Sequence, residues 1–137
     1  MTPIYFLQRL QEKRIGTGYT ELAIGVQQAK DLQLAIPTSE IYAILSEKLS
    51  NLKSVGRLEY DQGNGFIFIR TKPTIRSLGE DVRIQITEVD SNFSNIYISS
   101  KPLVSTTLFD YGKNAENLRL FSSAIREAEK SYLESRI

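Results

Sequence analysis

Three pairs of neighbouring carboxylates hold most of the chemistry this chain could offer: Glu59 with Asp61, Glu80 with Asp81, and Glu88 with Asp90. Paired carboxylates serve acid–base work or bind a hard cation. Each pair lies at or near an expected strand end beside a turn, where Asp is favoured for local hydrogen bonds. The structural role is therefore the simpler one. A basic turn, Arg70-Thr71-Lys72-Pro73-Thr74-Ile75-Arg76, offers planar Arg forks that suit phosphate or carboxylate. No Gly-rich loop leads from it into a helix, so a Walker-type cradle is excluded. A solvated connection between strands is the simpler reading of it.

The most distinctive group is Asp110-Tyr111-Gly112-Lys113-Asn114. Gly112 marks a backbone position unsuited to a side chain. Asn114 is placed to cap a helix, and Asp110 to favour its positive end. The free amides of that end would also attract an anion. Arg76, Tyr111, Lys113 and Asn114 are thus the candidate polar contacts, beside the purely structural role of a joint. Tyr60, Tyr97 and Tyr111 fall near strand or loop ends, where a phenol can donate to a ligand or simply pack.

Absences narrow the chemistry further. The chain has no Cys and no His. It therefore has no disulfide, thiol nucleophile or imidazole base, and the usual ligands of zinc, haem and iron–sulfur centres are missing. No cofactor and no metal site is expected, although carboxylates alone can hold a hard cation. With 17 basic and 16 acidic residues, the net charge of +1 argues against nucleic acid, which demands a surplus of Lys and Arg. No apolar run approaches the ~20 residues needed to span a bilayer. Residues 1–10 lack a basic start and a small-residue cleavage site, so a cytoplasmic location is expected. Asn92-Phe93-Ser94 fits the glycosylation acceptor pattern and is read as a chance match.

The elements that must position these groups follow from periodicity. At 137 residues, with 41% hydrophobic and 24% charged, the chain has the size and balance of one globular domain. The expected core spans 31–133, with 1–16 as a helical extension begun by Thr2-Pro3. Tyr19 to Gln27 and Asp31 to Ile36 alternate as strands do. A helix carrying Ile41, Ile44, Leu45 and Leu49 follows, with Thr38 or Ser39 as its cap. Four strands come next, over about Ser54–Tyr60, Gly65–Arg70, Asp81–Glu88 and Asn95–Ser100. Last is a long helix with Leu118, Phe121, Ile125, Ala128 and Tyr132 in one apolar stripe. The fold class expected is α+β: an antiparallel meander with a capped helix before it and a long C-terminal helix across one face. Strand 65–70 breaks the polar–apolar alternation. Phe66 and Phe68 face one way and Ile67 and Ile69 the other, so both of its faces call for cover.

This order of elements resembles the helix-grip architecture of START-like domains, the lipid-transfer and polyketide-cyclase superfamily. More narrowly, the second half is similar to an uncharacterised bacterial domain-of-unknown-function family numbered 1499. Glu80-Asp81-Val82 and Asp110-x-Gly112-x-Asn114, with Leu118 after it, carry that likeness. Ser99-Ser100-Lys101-Pro102 departs from the family's alternation of Ser and Arg. The resemblance runs from about Leu32 to Ile125 and implies a cavity between sheet and long helix for an apolar or amphipathic small molecule.

The first functional expectation is accordingly a non-enzymatic domain with a small hydrophobic or amphipathic ligand in that gap, near Phe66, Phe68, Ile84, Ile98, Phe121 and Ile125. The strand register decides which face Phe66 and Phe68 occupy. The second is a protein-interaction or homodimerisation module with a solid core. The third is a cyclase- or hydrolase-like enzyme using Tyr, Asp or Glu.

Overall fold

The computed structural model describes residues 28–74, 78–103 and 112–137. The helix expected over 1–16 and the strand over 19–27 lie outside the described residues. So do Arg76 and Tyr111.

Strand β1 (Gln28–Leu34) leads into helix α1 (Thr38–Ser50). Strands β2 (Val55–Asp61), β3 (Phe66–Thr71), β4 (Glu80–Glu88) and β5 (Ser94–Pro102) follow, and helix α2 (Lys113–Glu134) ends the described chain. The sheet order is β1-β5-β4-β3-β2, antiparallel throughout. The meander runs from β2 to β5, and β1 crosses over to pair with β5, Leu34 opposite Ser94 and Gln28 opposite Ser100.

Period-two alternation then sorts the side chains. Leu32, Leu34, Ile67, Ile69, Val82, Ile84, Ile86, Ile96 and Ile98 all point to one face and are buried. They join Ile41, Leu45 and Leu49 of α1 and Leu118, Phe121, Ile125 and Ala128 of α2 in one apolar cluster. Each large side chain buried there contributes about 1.5–3 kcal/mol. Because both helices cover the same face, the sheet is gripped from one side. Neither described helix is long and apolar enough to cross a membrane.

Two local details differ from expectation. Neither Thr38 nor Ser39 caps α1. Pro37 holds the N-cap position at φ −63° and ψ 146°, with no side chain to donate or accept. Its carbonyl instead accepts from the amides of Glu40 and Ile41, and the Thr38 hydroxyl donates to Glu88 Oε1 at 3.2 Å. Likewise Asn114 is not the cap of α2. That position belongs to Gly112, at φ 76°, and Asn114 lies inside the first turn.

Candidate functional site

The apolar rows of the inner sheet face end in polar residues. Counting by two, Ile67 and Ile69 lead to Thr71, Ile84 and Val82 lead back to Glu80, and Ile96 and Ile98 lead to Ser100. The first turns of α2 lie over this polar end, and their buried face carries Asn114 and Asn117 ahead of Leu118 and Phe121. All five polar side chains are buried, at 3% exposure or less.

They satisfy one another. The Thr71 hydroxyl donates to Glu80 Oε1 at 2.6 Å, while the Glu80 amide donates to Thr71 Oγ1 at 2.7 Å. Asn117 Nδ2 donates to the same Glu80 oxygen at 3.0 Å and to Ser100 Oγ at 3.2 Å. The Ser100 hydroxyl donates onward to Asn114 Oδ1 at 2.6 Å. Two acceptors fix which way the Asn117 amide points, since the reversed amide would set oxygen against the Glu80 carboxyl oxygen. A buried polar group without a partner costs about 1–3 kcal/mol, so a network this deep persists only if its bonds are made. One acceptor remains: the buried Asn117 Oδ1 has no hydrogen-bond partner among the described residues.

Of the residues singled out in the sequence, Ile84, Ile98, Phe121 and Ile125 come together, fully buried, in the layer beside this network. Phe66 and Phe68 do not join them. The register sets Ile67 opposite Ile84 and Phe68 opposite Arg83, which sends both Phe side chains to the outer face. There their rings stack at 5.4 Å, and the Arg83 guanidinium lies 5.7 Å from the Phe68 ring centre. Lys113 pairs with Glu116 at 3.5 Å within α2. Asn114, expected as a cap and anion contact, is an acceptor inside the network.

The other carboxylates hold local structure. Asp61 accepts from the Asn64 amide and side chain, Asp90 from the amides of Asn92 and Phe93, and Asp81 faces Arg83 at 3.5 Å. Glu80 alone of the three pairs is buried. Thr71, Ser100 and Asn117 were missed, because each is of a type usually found at the surface. The signal was there in the count: the α2 stripe, extended back by three and four, meets Asn117 and Asn114, and the β4 alternation meets Glu80.

An open groove of about 370 Å³ runs between the C-terminal halves of α1 and α2, lined by Ile44, Lys48, Asn51, Ala128 and Tyr132 among others. Its rim is held by a Lys48–Glu127 ion pair at 2.9 Å.

Comparison with solved structures places the architecture. XoxI from Bacillus cereus matches with a TM-score of 0.51 at 10% identity, over 82% of this chain and 99% of that protein. A START superfamily protein from Mycobacterium smegmatis matches with a TM-score of 0.50 at 9% identity, over 77% and 98%. The di-domain ARO/CYC BexL of the BE-7585A biosynthetic pathway matches with 0.51 at 12% identity, over 76% of this chain and 44% of that one. These likenesses define a START-like, helix-grip fold. No family model matches the chain, and no curated protein does.

Proposed function

We propose that this chain is a non-enzymatic binding domain for a small amphipathic molecule held between the sheet and α2. One observation carries the proposal: a buried hydrogen-bond network ends in an acceptor, Asn117 Oδ1, with no partner among the described residues. Such an atom asks for a reason, a water, an ion or a bound group among them. The hydroxyls of Ser46, Ser54 and Ser122 are likewise unmet among the described residues, but lie outside this network. The apolar layer of Ile84, Ile98, Phe121 and Ile125 beside it suits a hydrocarbon body. The ligand's polar end is then a hydrogen-bond donor, an alcohol or amine. A carboxylate or phosphate would set its oxygens against Asn117 Oδ1 and Glu80.

The fold does not choose between binding and catalysis, since it is shared by an ARO/CYC protein and a START superfamily protein. The residues favour binding. The chain lacks His and Cys, and the donors facing Glu80, a hydroxyl and an amide, are poor proton acceptors. No family model supports the narrower likeness to the family numbered 1499. Two of its motif residues, Glu80 and Asn114, are members of the network.

Electrospray mass spectra of the purified protein under native and denaturing conditions test this proposal. A co-purifying mass released on denaturation is expected. Titration with decanol, decylamine and decanoate should show binding of the first two and not the third, and Asn117→Leu should weaken both. An experimental structure with a filled core and no co-purifying mass would overturn it.

A further inference from the structure

Strand β2 is an edge. Among the described residues it pairs with β3 and with no other strand, and from Gly56 to Asp61 only Leu58 is even half-buried. Unpaired edges invite another strand, and proteins usually blunt them with charge or a bulge. The β2 ladder does shift register between Val55 and Arg57. Its charges, however, are of both signs: Arg57, Glu59 and Asp61 follow one another on the outer face. Arg57 and Glu59 flank Leu58 on the same face, with side chains 67% and 61% exposed and a 2.8 Å contact to each other. An exposed pair of this kind is worth only about 0–1 kcal/mol by itself.

Opposite charges on either side of Leu58 make this part of the edge self-complementary. Antiparallel pairing of β2 with a second β2, about a two-fold axis perpendicular to the sheet, must set residues of one face opposite each other. Centred on Leu58, this pairing places Arg57 opposite Glu59 of the second copy, twice, and opposes no like charges. Shifting by two one way puts Arg57 opposite Arg57; shifting the other way sets Arg57 opposite Asp61 but Glu59 opposite Glu59. Opposite charges directly across a ladder stabilise it and like charges oppose it. Within β2, only the Leu58-centred register sets opposite charges across the ladder with no like pair, and it is favoured for that reason.

We infer that the β2 edge is the docking site for a second copy of this chain, joined strand to strand through Arg57, Leu58 and Glu59 into one continuous sheet. The ligand site proposed above is on the inner face and is not part of this contact. A short ladder with little apolar area makes a weak, concentration-dependent dimer, favoured by low salt.

Sedimentation velocity of the full chain from micromolar to millimolar concentration tests the inference. The apparent mass should rise from 15.5 kDa towards twice that value, and less so in high salt. Arg57→Glu and Glu59→Arg should each remain monomeric, because each creates like-charge opposition in the homodimer. An equimolar mixture of the two should restore the dimer, as should the double exchange R57E/E59R. Circular dichroism confirms that each variant is folded. A wild-type chain that stays monomeric throughout, or a dimer indifferent to the single reversals, would overturn the inference. Ligand binding would be untouched by either outcome.

Discussion

Asn117 Nδ2 lies 3.0 Å from Glu80 Oε1, and this bond fastens the second turn of α2 to the first residue of β4 across 37 positions of sequence. Apart from this network and the bond from Arg126 to the Gln33 carbonyl, the described helix and sheet meet largely through apolar contacts, which are tolerant of sliding. A hydrogen bond between fixed atoms is not. The network thereby sets the position of α2 along the sheet and makes one end of the buried layer polar.

Removing either partner should be costly and non-additive. Glu80→Ala strips the acceptor from the Thr71 hydroxyl and the Asn117 amide, and should destabilise by about 2–3 kcal/mol. Asn117→Ala should cost somewhat less. Since the two share a bond, a double-mutant cycle by urea denaturation should give a coupling of about 0.5 kcal/mol or more. Strict additivity would mean that the contact is not made in solution.

The β2–β3 turn depends on one glycine. Gly65 has φ +81°, and a Cβ built there would meet the Ile86 carbonyl oxygen at 2.9 Å. That carbonyl cannot withdraw freely, because the Ile86 amide donates to the Gly65 oxygen at 2.7 Å. Gly65→Ala should cost about 2 kcal/mol or more, since left-handed backbone alone costs roughly 1–2 kcal/mol for other residues. Gly63→Ala, where an added Cβ would meet only Asp61 Oδ1 at an ordinary 3.6 Å, should stay within about 0.5 kcal/mol of wild type. Equal midpoints for the two variants in thermal melts would refute this assignment.

Much of this architecture was legible from periodicity. In β4, Val82, Ile84 and Ile86 alternate with Arg83 and Thr87, and polar side chains tell inside from outside. In α2 the stripe from Leu118 to Ala128 does the same. Phe66-Ile67-Phe68-Ile69 gave no such cue, since both faces are apolar and only pairing with β4 decides between them. The candidate site was legible only in its apolar half. Asn114 and Asn117 look like surface residues until Thr71, Glu80 and Ser100, from three different strands, are brought beneath them. That is a tertiary fact, beyond the reach of a local pattern.

Alkaline pH should loosen the contact between α1 and the β2 turn. Burial first, and then the negative charge of Asp61, hold the Tyr42 hydroxyl above the ordinary tyrosine value near 10. The folded state therefore prefers the neutral phenol. A raised folded-state value means that its contribution is fully present below the unfolded value. It is lost as pH climbs through the higher folded one. Urea midpoints for wild type should fall more steeply above pH ~10 than those of Tyr42→Phe, which has no proton to lose. Parallel curves would show that Tyr42 titrates as it does when unfolded.

The sharpest check on the sheet's two faces compares two phenylalanines. Phe121 is fully buried beneath α2, against the inner face and beside the network. Truncation there removes a large side chain and leaves a void that the β4 and β5 isoleucines cannot fill, so Phe121→Ala should cost about 3–5 kcal/mol. Phe68 is half-buried on the outer face, where its neighbours are the Phe66 ring and the Arg83 guanidinium. Phe68→Ala loses that stacking and part of its burial, and should cost about 1–2 kcal/mol. The variants should also differ in binding. Widening the gap at Phe121 should change the affinity for decanol, and truncation at Phe68 should not. If Phe68→Ala proves the more damaging of the two, or alters decanol binding, the outer face holds the ligand instead.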